Sequence, residues 1–157
     1  MDEVFKTSIS GVELMPLKII ETAGGPVLHL LKANSPFIPD FREVFGEIYF
    51  SETLPGKIKA WKRHKLQTQL FAVPRGLLKI VLVDSRPDSP SYGESLTTIL
   101  GRPNHYCLLR IPPMVWHGFE ALGSEPALLC NCADRPHDPS EGENLDISSP
   151  NAPLPWL

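Results

Sequence analysis

Apolar positions along this chain fall in short runs, each cut by proline, glycine or a polar cluster, and none continues at helical spacing. The runs at 27–31, 47–51, 57–61, 69–73, 77–83, 96–100, 106–111 and 127–132 are rich in β-branched, leucine and aromatic residues and predict eight strands. Asp40 followed by Phe41–Phe45 and then Gly46 predicts one short helix with Asp40 as its N-cap. With 17 prolines and 11 glycines, few stretches can sustain a longer helix. The pattern is that of an all-β chain, and eight strands suit a sandwich or jelly roll.

The 157 residues make one domain, enough to bury roughly two-thirds of the unfolded surface around one core. Three segments are expected within it: strands and the short helix over 1–45, a barrel over 46–134, and a proline- and serine-rich segment over 135–157. The last is expected to lie across the barrel with Trp156 as its apolar anchor.

Charge narrows the partners. The chain has 15 basic and 18 acidic residues, net −3, and no basic stripe, so nucleic acid is not an expected partner. The first twenty residues hold no long apolar run, which excludes a signal peptide or membrane span there and predicts a cytoplasmic protein. Cys107, Cys130 and Cys132 lack paired metal or disulfide spacing and are expected as reduced thiols.

Two segments carry chemistry. From Gly56 to Gly76, the glycine, Lys62-Arg63-His64, Gln69 and the second glycine keep the spacing of the first cupin motif, with half of its identities. Pro112-Pro113-Met114-Val115-Trp116-His117 keeps the proline and histidine of the second, with Met114 where a glycine usually sits. To these add Val83-Asp84-Ser85-Arg86-Pro87 through Ser89-Pro90 and Gly93, then His117-Gly118-Phe119, Cys132-Ala133-Asp134 and Trp156. Together they resemble the dTDP-4-dehydrorhamnose 3,5-epimerase family from about Gly46 to Trp156.

That resemblance implies a cupin double-stranded β-helix with the short N-terminal helix, in a homodimer whose arm lies in 1–45. It implies an epimerase that inverts carbons beside the 4-keto group of a nucleotide-linked 6-deoxyhexose, without metal or other cofactor. Each inversion removes a proton beside a carbonyl and returns one to the other face, so a base, an opposed acid and enolate support are needed. Carried over position by position, the family's catalytic histidine falls on Lys62, its arginine on Lys59 and a neighbouring glutamine on His64. Its proton-donating tyrosine falls on Cys130, thirteen residues past His117. Its enolate-supporting lysine falls near Gln69, its thymine-stacking aromatic on Pro136, and its nucleotide-contacting glutamate on Glu141.

Several readings stay open on residues alone. Lys62 and His64, two apart on a strand, are expected on one face, toward the interior, where a desolvated lysine serves as a base and the alternative is a solvated face. His64, Gln69 and His117 occupy three cupin ligand positions, but an ammonium at the fourth repels a dication, and no metal is expected. His117 is expected to meet substrate at the barrel mouth. Cys130 is either a thiol acid or core filler, and Trp61 either a pocket wall or an exterior contact. Asp84 and Arg86 are expected to close a turn. Two further functions fit: a divergent cupin isomerase, lyase or cyclase on a non-nucleotide molecule, and a non-catalytic sugar-binding cupin.

Overall fold

The computed structural model of the protein describes residues 3–37 and 45–157. The helix expected over 40–45 falls, but for Phe45, outside the described residues, and no helix occurs among those described. The strands are β1 (Phe5–Lys6), β2 (Glu13–Pro16), β3 (Ile19–Ile20), β4 (Val27–Leu28), β5 (Glu47–Thr53), β6 (Ile58–His64) and β7 (Gln69–Arg75). They continue as β8 (Leu77–Asp84), β9 (Ser95–Gly101), β10 (Cys107–Ile111), β11 (Val115–Leu122), β12 (Ala127–Ala133) and β13 (Gly142–Asn144).

Two main antiparallel sheets form, in the orders β1-β2-β10-β7-β12-β5 and β13-β6-β11-β8-β9, with a small β3-β4 ribbon beside them. This is the all-β architecture that the strand pattern called for, and the cupin-like form of it that the resemblance implied. Seven of the eight expected strands recur almost in full. The eighth, over 27–31, shrinks to Val27–Leu28, because Leu30 and Leu31 pack over a sheet instead of pairing in one.

Strand alternation explains the layers. On β7 and β10, Phe71, Val73, Leu109 and Ile111 point inward to meet Leu78, Ile80 and Leu82 of β8, forming the central core between the sheets. On the reverse face of the six-stranded sheet, Met15, Leu70, Ala72, Leu108, Cys130 and Cys132 are covered by N-terminal residues including Leu30, Leu31 and Phe37. On the reverse face of the five-stranded sheet, Val83 and Trp116 lie under Leu145, Leu154 and Trp156 of the C-terminal segment. Both sheets are therefore apolar on both faces, which is why the sequence shows continuous apolar runs rather than clean alternation. Each fully buried leucine or isoleucine contributes about 1.5–3 kcal/mol.

Strand β11 escaped the sequence pattern because Gly118 interrupts it. A Cβ there would stand 2.4 Å from the Ala60 Cβ and 2.9 Å from the Trp156 ring, so the strand keeps glycine to let the C-terminal indole close. Before β11, the chain turns at Met114, whose φ of 67° is left-handed and whose N–H donates to the His64 carbonyl at 2.7 Å. The position usually held by glycine thus keeps the glycine conformation.

The Asp84–Ser91 segment closes on itself. The buried Asp84 carboxylate accepts from Arg86 Nε and Nη2, both at 2.8 Å, and from the Ser89 and Ser91 hydroxyls, both at 2.6 Å. Burial alone would raise its pKa, but these bonds outweigh it and hold the carboxyl well below the usual range. Ser91 also accepts from Ser10 N–H at 2.8 Å, tying the N-terminal strands to the sheet.

Candidate active site

A cavity of about 570 Å³ opens between the two sheets. Its wall on the six-stranded sheet carries Tyr49 and Ser51 of β5, Gln69 and Phe71 of β7, and Leu129 and Asn131 of β12. The facing wall carries Lys59, Trp61 and Lys62 of β6 with His117 and Phe119 of β11, and the rim includes Asn144 and Asp146.

Lys62 and His117 are cross-strand partners, which puts their side chains in reach of each other on the cavity side. Among the described residues no hydrogen bond or salt bridge holds the Lys62 ammonium. His117 is 4% exposed, packed edge-on by Phe71 at 5.4 Å and stacked on His64 at 6.3 Å between ring centroids. Burial, the largest cause, pulls its pKa down to about 3, so the ring is neutral at physiological pH.

The polar lining is incompletely satisfied. Trp61 Nε1, Gln69 Oε1, His117 Nδ1 and Asn131 Oδ1 are all buried without a partner in the protein. Each such atom costs about 1–3 kcal/mol unless something binds it. All four belong to side chains that line this cavity, where a small rotation of any of them would offer the atom to a polar ligand.

Of the residues singled out from sequence, Lys59, Trp61, Lys62, Gln69 and His117 meet at this cavity. Lys59 stands exposed at the mouth, its ammonium donating to Ser51 Oγ at 3.0 Å and the Glu52 carbonyl at 2.7 Å. Trp61 is a cavity wall and also packs edge-on against Trp156 at 5.3 Å.

Three expectations need correction. His64 does not reach the cavity, because both ring nitrogens are engaged: Gln69 Nε2 donates to Nε2 at 2.9 Å, and Nδ1–H donates to Glu141. Glu141 is buried beneath His64 rather than presented to a nucleotide, and it also accepts from the backbone N–H groups of Leu66 and Gln67 at 3.1 and 3.3 Å. Cys130 faces away from the cavity into the apolar layer on the reverse side, since alternation along β12 sends Leu129 and Asn131 inward.

The buried chain Glu141–His64–Gln69 fixes what the cavity sees. Gln67 Nε2 donates to the Arg135 carbonyl at 2.8 Å, so its Oε1 must accept, and Gln69 Nε2 donates to it at 2.8 Å. Both amide hydrogens of Gln69 are then used, and its oxygen is left without a partner in the protein. His64 has no lone pair free for a metal in this arrangement. Among the described residues no group of three or more His, Cys, Asp or Glu side chains is placed to hold one.

Tyr49 and Asn131 were missed. One signal was available: Asn131 is the single amide in the apolar run Ala127–Ala133, and a buried polar residue in such a strand calls for a purpose.

A family model described as dTDP-4-dehydrorhamnose 3,5-epimerase matches residues 7–157. The chain is 36% identical over 127 residues to the probable low-salt glycan biosynthesis epimerase Agl13 of Haloferax volcanii, spanning 79% of this chain and 78% of that protein. It is 35% identical over 105 residues to the spore coat polysaccharide biosynthesis protein SpsL of Bacillus subtilis, 67% and 69% of the two chains. The crystal structure of a dTDP sugar isomerase from Desulfovibrio desulfuricans G20 superposes with a TM-score of 0.90 at 49% identity, covering 96% of this chain and 93% of that one. No described helix is long and apolar enough to cross a membrane. The chain belongs to the dTDP-4-dehydrorhamnose 3,5-epimerase family, sugar epimerases of the isomerase class.

Proposed function

We propose that the protein epimerises a nucleotide-linked 4-keto-6-deoxyhexose for polysaccharide or secondary-metabolite sugar synthesis, with Lys62 as the base that removes the proton beside the carbonyl. The observation that carries this reading is the pairing of an unengaged lysine with four unpaired buried polar atoms around one cavity.

The hexose sits between the sheets. Gln69 Oε1 and Asn131 Oδ1 accept from its hydroxyls. Trp61 Nε1–H donates to an oxygen, and neutral His117 hydrogen-bonds beside Lys62. A donor fixed in advance at the oxygen where enolate charge develops stabilises it without reorganisation. Lys59 at the mouth meets the diphosphate. His64 and Glu141 act behind the wall, as positioning residues for Gln69.

The enzyme works in the cytoplasm as a homodimer. Supporting the second point, β5 is an outer strand of the six-stranded sheet and exposes Ile48 and Phe50, an apolar edge that a second copy would cover. Sedimentation at micromolar concentration gives the mass of two chains if so, and of one if not.

The activity is tested by incubating the protein in deuterium oxide with dTDP-, UDP- and GDP-linked 4-keto-6-deoxyhexoses. Deuterium enters at C3 or C5. Absence of label across the panel rejects the proposal.

A further inference from the structure

Inversion needs a proton donor on the face opposite the base. Lys62 stands on β6 in the five-stranded sheet, and Cys130, which sequence counting put in the donor's place, faces out of the cavity. The opposite wall offers Tyr49, Ser51, Gln69, Phe71, Leu129 and Asn131. Of these, the phenol alone is a usable acid: amides and hydrocarbons release no proton in water, and an aliphatic hydroxyl is far too weak.

The phenol is also held for the task. Asn131 is 1% exposed and is the direct cross-strand partner of Tyr49. Its Nδ2–H donates to the Tyr49 hydroxyl oxygen at 2.8 Å. An oxygen that accepts from an amide keeps its own hydrogen for a third party, and no acceptor for it occurs among the described residues. Burial raises the Tyr49 pKa, the Asn131 hydrogen bond opposes this and the Glu47 charge adds to it, so the net shift is upward and the proton stays on.

We infer that the Tyr49 hydroxyl is the proton donor of this enzyme, carried on β5 and aimed across the cavity by Asn131. The inference rests on the epimerase reading and adds the second half of its chemistry. Lys62 amine takes the carbon-bound proton, the C–H pair becomes a carbon–carbon double bond, and the carbonyl becomes an enolate. On collapse the carbonyl reforms and the carbon takes the Tyr49 proton on its other face. The phenolate regains a proton from water and the Lys62 ammonium returns one to water, so nothing is gained or lost.

Removing the donor leaves the base. In Tyr49→Phe the enolate still forms, and the Lys62 ammonium, exchanged with solvent, returns a proton to the face it came from. The test is therefore Tyr49→Phe in deuterium oxide with a dTDP-linked 4-keto-6-deoxyhexose that the wild type epimerises, following label and configuration together. Expected is a loss of about 100-fold or more in epimerised product, with deuterium still entering uninverted substrate. Epimerisation at the wild-type rate overturns the inference. So does loss of both label and product in a variant that melts like the wild type, because that would place Tyr49 in binding.

If the wild type itself incorporates no label from any such sugar, the epimerase reading fails, and this inference with it. Asn131→Ala covers the case in which Phe at 49 disturbs folding. It keeps the phenol but not its aim, and kcat is expected to fall about tenfold, with KM raised as well because Asn131 Oδ1 no longer meets the substrate. An unchanged kcat there overturns the role given to Asn131 and Tyr49.

Discussion

Gln69 donates to His64 Nε2 at 2.9 Å, and that contact decides which end of the Gln69 amide faces the cavity. Two residues that motif spacing marks for the active site are thereby separated into one that lines the cavity and one that holds it in place. The same bond runs back through His64 to Glu141, so a change at Glu141 reaches the cavity through two side chains.

Glu141→Ala strips a partner from His64 Nδ1 and from the Leu66 and Gln67 amides. A stability loss of about 3 kcal/mol is expected by urea unfolding, with a fall in kcat/KM as Gln69 loosens. Glu141→Ala with wild-type stability and selectively weakened nucleotide binding would instead return Glu141 to the ligand.

Acid stability has two windows. His117 has a folded pKa near 3, below the usual histidine range near 6.5, so the unfolded chain binds the proton first. Its contribution is full above about 6.5 and is lost as pH falls toward about 3. Asp84 and Glu141, both depressed, contribute fully above the ordinary carboxylate range near 4 and lose that contribution below it. The Tm is expected to slope gently downward from pH 6.5 to 4.5 and steeply below 4. In His117→Gln the gentle slope disappears and the steep one remains. Asp84→Asn, which leaves Arg86 without its carboxylate, costs about 3 kcal/mol at neutral pH.

Two backbone positions of opposite character give a matched pair of substitutions. Met114 holds a left-handed φ that costs a side-chain-bearing residue about 1–2 kcal/mol, and Met114→Gly relieves it. Since glycine also gains entropy in the unfolded chain, the net expected is a gain of up to about 1 kcal/mol. Gly118→Ala does the reverse: its methyl overlaps Ala60 and the Trp156 ring, and a loss of about 1–3 kcal/mol is expected, with the C-terminal segment more readily cleaved in limited proteolysis. Protease resistance equal to the wild type would mean that Trp156 does not depend on that close approach.

The long strands were legible in the sequence because burial on both faces made them continuous apolar runs. Strand β11 was not, because its glycine serves a tertiary contact with Trp156 that no local rule records. In the site, Lys62, Gln69 and His117 were legible from motif spacing, since β6, β7 and β11 carry them on cavity-facing positions. Cys130, counted from His117, faces the reverse layer, because alternation along β12 turns its neighbours Leu129 and Asn131 to the cavity instead. Tyr49 carries no motif at all. Its place comes from the pairing of β5 with β12, a contact across 82 residues of sequence.

Lys62 is the most direct target of all. It shares the cavity with the neutral His117 imidazole, Phe71, Gln69 and Asn131, with Lys59 and Asp146 also on the lining, and no hydrogen bond or salt bridge among the described residues engages its side chain. Lys62→Met preserves much of the stem's packing and removes the amine. Product formation is expected to fall about 10²- to 10⁴-fold, with the affinity for a dTDP sugar changed by less than tenfold. Lys62→Ala opens space for an added amine, and methylamine is expected to restore part of the rate in proportion to its concentration. Lys62→Arg keeps a positive charge but no amine base and is expected to stay inactive with or without methylamine. Restored activity in Lys62→Arg would show that the residue is needed as a cation, at the enolate oxygen or the diphosphate, and would move the search for the base to His117 across the strand pair.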